Sequence, residues 1–512
     1  MKKIEKVFKK IILMFSDATS AEINKVMEEA WKAFHQYRKL SLKQRSEFMK
    51  QIGLELKNDS ANLVQIAMQE TNLSNERLNG ELSRTILQLN QYGQAAEEGE
   101  WLEARIDTTL QDETTSKPDL RKMLIPLGPV VVFGASNFPF AYSTAGGDTA
   151  CAFAAGCPVI VKAHPAHAQT SKMVADAIFK AVKKCKIPEG TFAHVYGQSI
   201  EVGKQLVMHE YTRAVGFTGS FAGGQQLFDW GNQRKIPIPV FAEMGSINPV
   251  FLLPEKMQQS SNEIARIYAK SITLGVGQFC TNPGLIIGIE GEDLQKFKIT
   301  LGEEIRKVQP GKMLHPGITK AFVEKKKNAL NQKNVTLVAV SEIESKNEGK
   351  ATIATASGET FLKNPILHQE VFGPYSLIIS CKDLKEMIEV ARNLEGQLTA
   401  TIFATDNEFL NNNELTEAVK NICGRFILNG VSTGVEVCLS MQHGGPFPAT
   451  TDSRFTSVGA DGIKRFVRPI AFQNWQNSLL PNELKNENPL GIWRTVNNKL
   501  TKEVIKNSKN ST

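Results

Sequence analysis

The chain has 512 residues, 41% of them hydrophobic and 22% charged, which is ordinary globular composition and length enough for two or three domains. Its formal net charge of +7 is modest, and the lysines are spread along the chain with only short clusters near the termini, which argues against a nucleic-acid partner. The seven cysteines are odd in number, widely spaced and free of any CxxC pair, which excludes a disulfide framework, argues against zinc and points to a reducing compartment.

The most apolar run near the start, residues 11–15, is too short for a secretory h-region and lacks a small-residue cleavage site. No run approaches the roughly 20 apolar residues that span a bilayer. A cytoplasmic protein with no membrane partner is the expectation. Residues 20–101 have helical texture, with Ile23, Val26, Ala30, Ala33 and Phe34 recurring at three- and four-residue steps. Further helices are expected over 42–56, 60–69 and 75–93, with Ser41 and Ser60 as N-caps. Residues 102–122 are polar and have few apolar anchors, as an excursion would.

The texture then changes. Residues 130–134 and 158–163 are dense β-branched runs on either side of a Gly/Ala-rich helix candidate, 146–155, which reads as a parallel βαβ unit. The alternation continues with a helix over 171–184, a strand over 192–196, a helix over 200–209 and a strand over 214–218. A helix then starts near Phe221, followed by a strand over 239–242. This is an open doubly wound sheet, the usual platform for a dinucleotide. A second α/β segment begins at Pro249, with a helix over 262–273 and strand-like runs over 285–289, 335–340, 375–380, 399–404 and 424–428. The tail after Asn497 is polar and is expected to fray.

The chemistry-bearing residues sit at the joints of this pattern. Cys280 lies in GVGQFCTNPG, residues 275–284. A single cysteine is commonly a small buried hydrophobe, but this glycine-rich loop suits the approach of a substrate to a reactive sulfur. Asn137, in GASNFP, follows the 130–134 run; it is a turn residue or an amide aimed at an oxyanion. Lys162 ends the next strand, where a lysine can snorkel or reach a nucleotide. His164 and His167 follow it at no recognised metal-ligand spacing, and no metal is expected. Gly219 and Ser220 join a strand end to a helix start with Gly223 and Gly224 in its first turn, a place where phosphates bind. Glu243, in FAEMGSINP, is a general base or an ordinary hydrogen-bonded carboxylate, and Glu370, in HQEVFGPY, is a surface carboxylate or an acceptor for sugar hydroxyls.

In this order SNFP, VKAHP, FTGSFAGG, AEMGSINP, GQFCTNPG, QEVFGP and GGPFPATTD resemble the aldehyde dehydrogenase superfamily, across about residues 126–452. The longer stretches FGASNFPFAYSTAGGDTACAFAAGCPVIVKAHPAHAQTS and GGPFPATTDSRFTSVG, with the ending RPIAFQNWQNSLLPNELKNENPLGIWR, are most similar to its 2,5-dioxopentanoate (α-ketoglutaric semialdehyde) and NADP-dependent fatty aldehyde branches.

The resemblance implies an α/β fold in three parts: a Rossmann-type cofactor domain from 1–101 and 123–242, an α/β catalytic domain over 243–450, and a small β bridging and oligomerisation element from 102–122 and 469–496, followed by a polar tail, 497–512. It implies that Cys280 attacks the aldehyde, that the Asn137 amide and the Cys280 N–H hold the oxyanion, and that Glu243 activates water against the thioester. Lys162 would contact the adenine ribose, Gly219 and Ser220 the pyrophosphate, Glu370 the nicotinamide ribose, and Phe372 would pack near the nicotinamide. Many NAD-using members carry a glutamate three residues after the motif lysine. Here Pro165 stands there, so NADP is expected to be accepted and preferred, with NAD possible.

A short basic stretch, residues 1–15, stands where members have a β-rich segment before Asp17-Ala18-Thr19. Arg454 is the candidate for a carboxylated substrate end. The expected activity is oxidation of 2,5-dioxopentanoate to 2-oxoglutarate by a dimer or tetramer. The alternatives are a long-chain aldehyde dehydrogenase, a CoA-acylating one, and a non-catalytic binding protein on this fold. Glu243 argues against the CoA-acylating reading, because a deacylating base suits hydrolysis.

Overall fold

The computed structural model describes residues 15–111, 116–343 and 348–506. The basic stretch at the start therefore lies outside the described residues, apart from Phe15, whose ring meets Tyr196 edge-on.

Four helices open the described chain: Ser20–Tyr37, Leu42–Asn58, Ser60–Thr71 and Asn75–Glu98. Thr19 and Ser41 each close a capping box with the residue three positions on, satisfying two otherwise unpaired N–H groups. Ser60 is not a cap, contrary to expectation. Asp59 holds that position without a side-chain hydrogen bond, because it also ends the preceding helix.

The β-branched runs form a five-stranded parallel sheet in the spatial order Phe192–Val195, Val159–Lys162, Val130–Phe133, Ala214–Thr218, Val240–Glu243. Alternate side chains serve opposite faces. Val130, Val132, Val159 and Val161 pack into the core shared with the helices Leu42–Asn58, Asn75–Glu98 and Ala168–Lys184. Val131 and Ile160 face the other way, onto Ile23, Met27 and Ala30 of the first helix. Covering both faces is what an all-parallel sheet requires. The strand order reverses between Val130–Phe133 and Ala214–Thr218, and ligands bind beyond the carboxyl ends of strands at such a point.

A second sheet has seven strands, in the order Thr336–Val340, Thr352–Ser357, Tyr375–Cys381, Leu285–Ile289, Val250–Leu252, Gln397–Phe403, Cys423–Leu428. Only its first pair is antiparallel. Here too alternation divides the core, with Phe251 on one face and Val250 and Leu252 on the other. The strand Thr352–Ser357 was not expected; its small side chains are mostly buried between two neighbours.

The excursion and the chain end meet in a third sheet, ordered Val467–Gln473, Leu120–Pro126, Arg105–Asp107, Arg494–Val496, Lys499–Thr501. The tail does not fray at Asn497. Lys499–Thr501 turns back onto Arg494–Val496, and the carbonyls of Lys502 and Glu503 are held by Asn488 and by the buried Arg494. Among the described residues no helix is long and apolar enough to cross a membrane.

Candidate active site

The site lies where the first sheet hands the chain to the second. Glu243 is the last residue of the edge strand Val240–Glu243. Residues 449–451 run beside it, with Met244 N–H on Ala449 O at 2.9 Å and Thr451 N–H on Ala242 O at 3.1 Å. This return of the distant GGPFPATTD motif brings His443 and Ser457 to Glu243.

The loop carrying Cys280 is held in an uncommon backbone conformation. Gly275, Val276 and Gly277 have φ of 55°, 59° and 65°, and for a β-branched residue such as Val276 this is a true outlier. A Cβ on Gly277 would stand 2.3 Å from the Gly373 carbonyl carbon, so only glycine fits. Beyond the turn the loop is tied at several points. Asn248, itself at φ 48°, donates from Nδ2 to the carbonyls of Cys280 and Asn282, both at 2.9 Å. Asn282 donates to Gly373 O at 3.2 Å, and Ser432 Oγ donates to Thr281 O at 2.8 Å. Strain fixed by such ties is characteristic of sites that hold a reactive group in place.

Cys280, Glu243 and His443 converge. Their thiol, carboxylate and imidazole atoms all lie within 4.8 Å of one another. His443 Nε2 is 3.6 Å from Cys280 Sγ and 3.1 Å from Glu243 Oε1. Ser457 Oγ lies 2.8 Å from Glu243 Oε2 and 3.1 Å from His443 O. Burial pushes the Cys280 thiol well above its ordinary value, and the Glu243 charge adds to this. Burial also pushes the Glu243 carboxyl up, but the attraction of His443 and the hydrogen bonds from His443 and Ser457 outweigh it, so Glu243 stays ionised. The resting site is thus a protonated thiol facing an ionised carboxylate, with the imidazole Nε2 within reach of both.

Asn137 is brought to the same loop, where its Nδ2 donates to Gln278 O at 3.1 Å. An amide carries a second N–H. On the far side of the loop, Glu370 and Phe372 line one cavity with Ser246, Gly277 and Phe279. Glu370 is half-buried, and desolvation raises its carboxyl to about 7. A Cβ on Gly245 would lie 3.1 Å from Glu370 Oε2, so glycine keeps that approach open. Ser220 caps the helix Phe221–Gln233, its Oγ accepting from Gly223 N–H. Phe217 folds beneath it, 2.5 Å from where a Cβ on Gly219 would be. Lys162 ends its strand half-buried, its ammonium depressed by burial and partly restored by Asp17. The ammonium of Lys162, the helix N-terminus capped by Ser220 and the carboxylate of Glu370 are groups of the kinds that would hold a dinucleotide's phosphates and sugars.

One sequence expectation, that for Arg454, changes here, and His164 takes a definite form. His164 is held far below its ordinary value by burial and by the nearby His167 and Lys162, so it offers a hydrogen bond and no charge. Arg454 is exposed and forks back onto Asp452, with Nε at 2.8 Å and Nη2 at 2.5 Å from its oxygens; the structure does not bring it to Cys280. Sequence reasoning had quoted the GGPFPATTD stretch without assigning chemistry to His443, directly before it, or to Ser457 beyond it. It had likewise passed over Asn248 inside SINP. The tolerance of asparagine for positive φ was the available signal.

The family model for "Aldehyde dehydrogenase family" matches residues 1–446. The chain belongs to the aldehyde dehydrogenase family. It is an oxidoreductase that oxidises an aldehyde with a nicotinamide cofactor through a cysteine. It is 42% identical over 491 residues to an α-ketoglutaric semialdehyde dehydrogenase of Acinetobacter baylyi, covering 95% of this chain and 93% of that one. It is 43% identical over 483 residues to α-ketoglutaric semialdehyde dehydrogenase 2 of Azospirillum brasilense, covering 94% and 92%. Its fold matches that of succinic semialdehyde dehydrogenase from Streptococcus pyogenes, solved in complex with NADP+, with a TM-score of 0.75 at 19% identity over 90% of this chain and 96% of that one.

Proposed function

We propose that this aldehyde dehydrogenase oxidises 2,5-dioxopentanoate to 2-oxoglutarate, with NADP preferred over NAD. The observation that carries the substrate is the near full-length likeness to two α-ketoglutaric semialdehyde dehydrogenases, at 42% and 43% identity. The site agrees with such chemistry. Cys280 Sγ attacks the aldehyde carbon as its proton passes to His443, whose Nε2 stands 3.6 Å away. The second N–H of Asn137 and the backbone N–H of Cys280 receive the oxyanion; removal of one such donor typically costs about 10²–10³-fold in turnover. A nicotinamide bound on the Glu370 side supplies the hydride acceptor. The thioester left on Cys280 is hydrolysed by water that Glu243 deprotonates.

We assign residues 1–101 and 123–242 to the cofactor domain, 243–450 to the catalytic domain, and residues 102–122 and 469–496 to bridging in a homo-oligomer, dimer or tetramer. NADP preference is supported by Lys162 at the strand end and by Pro165, which opens a short turn where a carboxylate would repel a 2′-phosphate. Initial rates with 2,5-dioxopentanoate, succinic semialdehyde and a long-chain aldehyde, each with NAD and NADP, test both halves. The expected result is the highest kcat/KM for 2,5-dioxopentanoate with NADP, with Lys162→Met raising the KM for NADP more than that for NAD. A long-chain optimum would replace the substrate, and NADP turnover near zero would reject the cofactor preference.

Glu370 gives a pH signature. Ribose hydroxyls donate to a carboxylate, so cofactor binding favours its ionised form. With the free group near 7, the KM for cofactor is flat above that pH and rises as pH falls below it, about tenfold per unit in the limit. Glu370→Gln flattens the profile. KM for the cofactor measured from pH 6 to 8.5 at saturating aldehyde checks this, and a flat wild-type profile removes Glu370 from the ribose.

A further inference from the structure

Beside the Cys280 loop lies a packed aromatic cluster with a cation at its edge, and it has no role so far. Phe138, Tyr142 and Val458 pack there with Phe279, Val435, Val437 and Met441. Phe138 meets Tyr142 edge-on at 5.1 Å and Phe279 at 5.7 Å, and the Tyr142 ring is 6.1 Å from that of His443. Arg84, on the helix Asn75–Glu98, reaches this wall. Its Nη2 donates to Tyr142 Oη at 3.2 Å, and its guanidinium carbon lies 5.6 Å from the Tyr142 ring centre.

Arg84 differs from the other inward-facing arginines. Arg77 is paired with Glu81 at 2.9 Å, Arg121 with Asp119 at 2.8 Å and Arg465 with Asp148 at 2.7 Å. Arg45, Arg234 and Arg494 are bound by backbone carbonyls. Arg84 forms no ion pair among the described residues, and its buried Nε has no hydrogen-bond partner there. Glu81, one turn earlier, is already occupied by Arg77 and by the N–H groups of Phe140 and Ala141. A second guanidinium, that of Arg425, is likewise without a carboxylate; it donates to Ser432 O and Gly434 O and so holds the segment that braces Thr281. Arg84 is partly buried beside the nucleophile, and the carboxylate that acts on it, Glu81, already holds Arg77, so its guanidinium has donors left for an anion that arrives with the substrate.

We propose that Arg84, with Tyr142 Oη, binds the α-keto carboxylate end of the substrate while its aldehyde end lies at Cys280. This rests on the 2,5-dioxopentanoate reading and transfers to Arg84 the role that the sequence gave to Arg454. A guanidinium presents paired N–H groups to a carboxylate, which a lysine cannot reproduce.

The test compares 2,5-dioxopentanoate with pentanal, which has the same chain length and no charge. Arg84→Met is expected to raise KM for 2,5-dioxopentanoate by about 10- to 100-fold, as loss of a charge-assisted hydrogen bond does, and to leave KM for pentanal within about twofold. Arg84→Lys, which preserves the charge and covers the case of a misfolded Met variant, should fall between. As a readout independent of turnover, 2-oxoglutarate should protect Cys280 from iodoacetamide in the wild type, weakly in Arg84→Lys and not in Arg84→Met. Equal KM changes for both aldehydes, or protection that survives in Arg84→Met, would overturn the assignment to Arg84 while leaving the substrate standing. A wild type that shows no preference for 2,5-dioxopentanoate over pentanal would overturn the substrate reading and this proposal together.

Discussion

Replacing Glu243 with glutamine leaves a burst of one equivalent of reduced cofactor per site and lowers steady-state turnover by about 10²–10⁴-fold, the usual range for loss of a general base. Glu243 is buried and kept ionised by His443 and by Ser457, so it can accept a proton from water throughout the neutral pH range. Glutamine fills the same space and keeps hydrogen bonds to both neighbours, but it cannot take the proton. Hydrolysis of the thioester then fails while attack on the aldehyde continues.

The same substitution has a second consequence of opposite sign. The charge on Glu243 is one of the influences that hold the Cys280 thiol above its ordinary value. Removing it lets the thiol ionise more readily, so alkylation of Cys280 by iodoacetamide at pH 7 becomes faster in Glu243→Gln than in the wild type. Rapid-quench or stopped-flow measurement of the burst, with alkylation rates beside it, reads both effects. Cys280→Ala abolishes burst and turnover together. A Glu243→Gln enzyme that loses its burst as well would place Glu243 in the first chemical step.

How far the sequence foretold this depends on the range over which each feature is encoded. The runs at Val130–Phe133, Val159–Lys162 and Leu285–Ile289 are legible because a strand covered on both faces must be apolar at consecutive positions. Cys280, Glu243 and Asn137 could be found because each sits at a strand end or turn within a few residues of its signal. The third sheet was legible only through the resemblance, which implied a small β element from 102–122 and 469–496, and not from local pattern. Its strand Val467–Gln473 is largely exposed, and its partner Leu120–Pro126 lies more than 300 residues earlier, so local pattern carries little of it.

Arg454 failed for a local reason. Asp452, two residues before it, satisfies its guanidinium at the surface. His443 and Arg84 were missed for the converse reason. Their partners are 163 and 58 residues away, and nothing beside them in the chain marks the contact.

Replacing His443 with glutamine lowers kcat/KM by about 10²–10⁴-fold and, unlike the change at Glu243, suppresses the burst. The thiol that must ionise is already pushed upward by burial and by the facing carboxylate. Beside it stands an imidazole whose Nε2 is 3.6 Å from Sγ and 3.1 Å from Glu243 Oε1. When the Cys280 proton passes to His443 and stays there, an imidazolium faces the new thiolate and stabilises it, as a cation beside a thiol generally does. Glutamine can bridge the same gap by hydrogen bonds but cannot become a cation.

The pH profile of alkylation by iodoacetamide separates this from a merely structural role. In His443→Gln the half-maximal rate moves to higher pH and the rate at pH 7 falls, opposite in sign to the change predicted for Glu243→Gln. The ring is held by its own backbone, through His443 N–H on Thr456 Oγ1 at 2.9 Å and Ser457 N–H on His443 O at 2.8 Å, so the side chain can be exchanged without releasing the segment. An alkylation profile identical to the wild type, together with an intact burst, would confine His443 to orienting Glu243 and leave Cys280 to be activated by the carboxylate alone.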